Sequence, residues 1–247
     1  MCTVSYLPLE PDNQTGRGGG YILTSNRDES PRRNAIEILR LERKGITLLY
    51  PADPEAGGTW FCISNFDRAA CLLNGAYEPF IRHPRFTHSR GLMLLDLIQH
   101  PTIEDFTGNY DFSATAPFTV VVAEGNTLDE LIWDGTTLTH HTMNPRSPSF
   151  WSSVTLYPED VRTWRKTLFT QWLTTHQTFD QIEIMDFHRY GSGDNGWNGF
   201  VMNREERVKT LSISSVKKQP GVFNLVHIDL TSGRTFRESL ELSPTHV

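Results

Sequence analysis

Most apolar runs in this chain are strand-sized, and most pass to the next through a connection too short to hold a crossover helix. That pattern commits the chain to largely antiparallel pairing, because parallel neighbours need about a dozen or more residues between them. Residues 2–9 and 21–26 read as an N-terminal hairpin, joined by a long polar loop ending at Gly20. Further strand character lies in 46–50, 59–64 and 69–73, with Gly57-Gly58 marking a turn and a close backbone approach. Residues 118–123, 128–133 and 138–143 follow, the last two separated by the Asp134-Gly135 turn. The tail returns to strands over 210–216, 222–230 and 234–238.

Helices interrupt this pattern. Ser89 is placed to cap a helix over 90–100 with a broad apolar face, which Pro101 stops. Pro158 opens a second helix reaching residue 176, and Thr178-Phe179-Asp180 caps a third through Phe187. No internal repeat and no Gly/Ser-rich linker divides the sequence. One layered domain of mixed α and β elements over residues 1–247 is the expected organisation.

Composition narrows the partners. Lys and Arg total 23 against 29 Asp and Glu, a net charge of −6, which argues against nucleic acid or an anionic membrane surface. No apolar stretch approaches the roughly 20 residues that span a bilayer, and the first residues lack the pattern of a signal peptide. The three cysteines, Cys2, Cys62 and Cys71, do not make a disulfide framework, so a reducing, cytoplasmic compartment is expected. Asn13-Gln14-Thr15 fits a glycosylation sequon but reads as a polar turn, and Gly16–Gly20 precedes a strand rather than a helix, a poor phosphate cradle. Neither a cofactor nor a metal is implied. His140 and His141 fall on opposite faces of a strand, and His83 and His88 lack partners at ligand spacing. The expected partner is a small-molecule ligand or substrate; nothing in the sequence sets an oligomeric state.

The chemistry-bearing position is Cys2. Removing Met1 would leave one residue with a thiol and a free α-amine, and an amine beside a thiol can serve as its general base. The other reading is an inherited but silent cysteine. Strand alternation places Asn26 and Asp28 on one face and Arg27 on the other, which makes Arg27 an ion-pair partner for Glu29 or Asp53. Cys62 and Cys71 sit in apolar strands and read as buried hydrophobes. Trp60 is read as core packing beneath the sheets, with a ligand platform as the alternative. Arg82, His83, Arg85, His88 and Arg90 form a basic segment, either a solvated loop or the rim of an anion site.

Met1-Cys2-Thr3, Asn26-Arg27-Asp28-Glu29, Gly57-Gly58-Thr59-Trp60 and Leu73-Asn74 occur in the order seen in the NRDE family, also called transport and Golgi organisation 2-like. The strand Lys209-Thr210-Leu211-Ser212-Ile213-Ser214-Ser215-Val216 also resembles that family's small-hydroxyl strand. The resemblance implies an α+β fold of the N-terminal nucleophile hydrolase type, an αββα sandwich of two antiparallel sheets. Carried over from choloylglycine-type acylases of that superfamily, Cys2 matches the nucleophile, Asp28 the carboxylate that contacts its amine, and Asn74 the oxyanion donor. Ser25 replaces an expected Arg, no Asn occupies 152–155 where a second is expected, and Arg207 is only a loose match for a late Arg. The resemblance thus implies catalytic Cys2, Asp28 and Asn74; Asn26, Arg27, Trp60 and Arg82 are the ligand-binding candidates. The implied activity is a cysteine amidohydrolase acting on a small amide. The alternative is a non-catalytic protein that handles a lipid- or haem-type ligand.

Overall fold

A computed structural model describes residues 2–10, 19–35, 37–43, 45–80, 83, 85–176 and 178–243, with Cys2 described through its backbone. Met1, Arg82, the Asn13 sequon and most of the Gly16–Gly20 run lie outside the described residues. The first sheet takes β1 (Cys2–Leu9), β2 (Gly20–Glu29), β10 (Ser149–Ser152), β12 (Val208–Gln219), β13 (Val222–Asp229) and β14 (Thr235–Glu241) in the order β10-β1-β2-β12-β13-β14. The short β11 (Asn203–Arg204) pairs with β12. The second sheet is a meander, β3 (Ile38–Arg43), β4 (Ile46–Pro51), β5 (Phe61–Ser64), β6 (Arg68–Asn74), β7 (Phe118–Glu124), β8 (Thr127–Trp133) and β9 (Leu138–Met143), in chain order.

All the named strand pairs are antiparallel, as the short connections require. Helix α1 (Arg90–Gln99) covers β5 and β6, α3 (Glu159–Thr175) covers β10, and α4 (Gln181–Tyr190) covers β12 and β2. Layered this way, the chain is an αββα sandwich. The main core, including Val4, Leu23, Phe61, Leu73, Val121 and Leu225, lies between the sheets, and Leu7, Ile22, Phe169 and Phe187 form a second core under α3 and α4.

Several short or exposed elements were not legible in the sequence. Strand β3 is an exposed edge whose Arg40, Glu42 and Arg43 hide the period, β10 has four half-buried residues, and α2 (Ile103–Asn109) is barely two turns long. Thr102 caps α2 through Asp105 N–H at 3.0 Å, and Asp180 caps α4 through Ile182 N–H at 2.8 Å. Ser89 precedes α1 as expected but makes no side-chain capping bond. The first turn of α1 is held instead by backbone contact: Thr59 N–H donates to the Gly91 carbonyl at 3.2 Å.

Candidate functional site

The face assignment along β2 decides the site. Arg27 points toward the second sheet, where its guanidinium lies 3.7 Å over the Trp60 ring and pairs with Asp53 at 2.5 Å. Asp53 also takes Arg33 at 2.5 Å and accepts the backbone N–H groups of Glu55 and Ala56 at 3.0 Å each. Burial raises the Asp53 carboxyl, but the Arg27 charge and the bonds from Arg33 and Ala56 bring it below its ordinary value. The Glu29 alternative for Arg27 is taken by Arg33 instead, at 3.1 Å.

Arg27, Trp60 and Asn74 line one cavity of about 460 Å³. Asn74 reaches it from the last position of β6, where the strand breaks: Gly75 follows at φ +89°, a conformation only glycine adopts freely. The Asn74 carbonyl accepts the Ser153 hydroxyl at 2.7 Å, which ties this strand end to the chain beyond β10. Gly58 and Thr59 form another wall, and Phe80, Phe86 and His88 line the side toward α1. His88 Nε2 meets the Tyr110 hydroxyl at 2.7 Å, so its ring is held from behind. Sequence reading named Asp53 as a partner for Arg27 but missed Arg33 as the second cation on this wall, since nothing local links an arginine after β2 to a carboxylate after β4.

Asn26 and Asp28 belong to the opposite face of β2, under the helices, and do not line this cavity. Asp28 is fully buried and accepts the Tyr157 hydroxyl at 2.7 Å and the Thr210 hydroxyl at 2.6 Å. Burial raises its carboxyl above the ordinary value, against the opposing charge of Arg165. Asn26 donates to the carbonyls of His188 and Phe200 and accepts His188 Nδ1–H at 2.6 Å. That tautomer leaves His188 Nε2 to accept the Ser5 hydroxyl at 2.7 Å. A Ser–His–Asn chain of this kind has the connectivity of a hydrolytic triad, but all three side chains are sealed, and burial lowers the His188 ring to about 3. It is a structural network.

Cys2 pairs with Arg27 in the β1–β2 ladder, and opposed positions of an antiparallel ladder share a sheet face. Its side chain lies outside the described residues. Cys62 and Cys71 are both fully buried. Among the described residues, no group of His, Cys, Asp and Glu is arranged to hold a metal ion. Among the described residues, no helix is long and apolar enough to cross a membrane.

The family model for Transport and Golgi organisation 2 matches residues 13–186. The chain belongs to that family. Solved structures place this Transport and Golgi organisation 2 member on the N-terminal nucleophile hydrolase fold. A Caenorhabditis elegans N-acylethanolamine-hydrolyzing acid amidase ortholog is 10% identical, with a TM-score of 0.57 over 87% of this chain and 92% of that one. The C2A mutant of a Clostridium perfringens conjugated bile acid hydrolase is 11% identical, with a TM-score of 0.55 over 99% of each chain. No curated protein sequence matches the chain.

Proposed function

We propose that this protein hydrolyses the C–N bond of a small amide, with Cys2 as nucleophile once Met1 has been removed. The observation that supports it above all is the register Cys2–Arg27, which sets the second residue of the chain on the face of β2 that borders the Arg27–Trp60–Asn74 cavity. In this reading the Cys2 amine takes the thiol proton, and sulfur attacks the amide carbon. The Asn74 amide donates to the developing oxyanion, a contact worth about 10²–10³ in rate in comparable sites. The C–N bond breaks as the amine leaves with a proton, and water then cleaves the thioester to a carboxylic acid. Asp28 acts from the far face, positioning the strand end through Tyr157 and Thr210 rather than touching substrate.

A second reading rests on residues 152–155, Ser-Ser-Val-Thr, where the resembling acylases carry a further Asn. Without that donor the cavity would bind a small-molecule ligand and perform no chemistry. One experiment divides the two. Intact mass of protein from its native host is expected to show loss of Met1, and an amide-directed electrophile is expected to label Cys2 ahead of the buried Cys62 and Cys71. Labelling should vanish in Cys2→Ala with folding unchanged. Retained Met1, or labelling no faster than that of an ordinary free thiol, rejects the hydrolase.

A further inference from the structure

Asn74 borders a second cavity as well as the first, about 320 Å³ in volume, between the end of β6, β10 and the opening turns of α3. Its polar groups divide by what they already bond. Glu130 is committed, because Trp151 Nε1–H donates to it at 2.7 Å. Arg162 and Lys166 line the cavity one turn apart on α3, hence on one face, and have no ion-pair partner among the described residues. The Arg162 Nε–H and the Ser152 hydroxyl are buried without a hydrogen-bond partner among the described residues. Buried polar groups are ordinarily paired, and these two orphans belong to residues that line one cavity, which suits a ligand that accepts hydrogen bonds.

We propose that this cavity binds a small monocarboxylate, its oxygens held by Arg162, Lys166 and the Ser152 hydroxyl. A guanidinium fork matches the spacing of carboxylate oxygens. Glu130 and Glu159 also line the cavity, so the two cations are already opposed by two carboxylates. That balance leaves no net positive charge to hold a dianion, which favours a carboxylate over phosphate. The binding does not depend on any chemistry at Cys2. If the hydrolase reading also holds, Asn74 stands between the reacting centre and an anchor for an acid group on the substrate.

The test is calorimetric titration of the full chain with sodium phenylacetate, with 2-phenylethanol as a neutral match and inorganic phosphate as the dianion. Saturable phenylacetate binding is expected, weaker phosphate binding, and none for the alcohol. Arg162→Gln and Lys166→Gln should each weaken phenylacetate about tenfold, the scale of a lost charge-assisted bond, and Arg162→Lys should recover part of the loss. An NOE from the bound phenyl ring to the Trp151 indole N–H locates the ligand without any variant. No phenylacetate binding, equal binding of the alcohol, tighter binding of phosphate, wild-type affinity in both Gln variants, or absence of that NOE overturns the proposal. Cys2→Ala should bind phenylacetate unchanged, so an unreactive Cys2 would remove the hydrolase and leave this site standing.

Discussion

Asp53 accepts two guanidinium groups while almost wholly buried, and it is the charge that allows Arg27 to lie against Trp60 between the sheets. A buried ion pair adds little over a hydrophobic replacement, but removing one partner strands the other charge in low dielectric. Asp53→Asn keeps the shape and removes the charge, leaving Arg27 and Arg33 facing each other. The expected loss is about 3–5 kcal/mol, read as a lower urea midpoint. A change within about 0.5 kcal/mol, the range of an ordinary surface substitution, would mean that the pair is not what holds this wall.

At the scale of elements, the cavity depends on how closely α1 approaches the turn before β5. A Cβ on Gly58 would lie 2.4 Å from the Gly91 carbonyl carbon, and one on Gly91 would lie 2.8 Å from Thr59 N and O. These are backbone contacts that no rotamer change relieves. Gly91→Ala is therefore expected to lose about 1–3 kcal/mol despite alanine's better helix propensity. Gly108→Ala in α2, with nothing within 4 Å, should instead gain about 0.5–1 kcal/mol. Thermal melts of the two variants moving in the same direction would refute the close-approach argument. The Gly57-Gly58 turn is legible in the sequence because paired glycines signal backbone crowding, and the central strands are legible because their apolar runs exceed the period-2 minimum. Strand β3 is not, since only Ile38 and Leu39 of this charged edge strand pack against the core. The site is half legible. Alternation along β2 separates Arg27 from Asp28 correctly, but that Arg27 and Asn74 share one cavity depends on how the two sheets face each other, which no local pattern encodes.

Across the whole molecule, the layer between the first sheet and its helices is unusually polar, with Thr3, Ser5, Asn26, Asp28, Arg165 and His188 all buried. Burial lowers His188 to about 3 and His227 to about 4, against about 6.5 in an unfolded chain. Between those values the unfolded chain binds protons that the native chain refuses, so stability falls as pH drops through that window. Asp28, raised by burial, contributes with the opposite sign, while Asp53, lowered overall, adds to the acid loss. Melting temperature measured against pH should therefore fall on acidification, and His188→Gln should flatten the slope even if it melts lower throughout. An unchanged slope in that variant would show that His188 titrates normally. The sheet order has a further consequence, in time rather than in energy. Strand β1 lies between β10 and β2, and β2 lies between β1 and β12, so the chain's earliest strands wait for some of its latest. A lone two-stranded hairpin is marginal in water. At about 5–20 residues per second, β10 emerges roughly 7–30 seconds after β1, and β12 later still. Throughout that interval the residues ahead of β1 remain open to an aminopeptidase working on the growing chain. Once β12 closes the sheet, the strand they lead into is fastened in its interior.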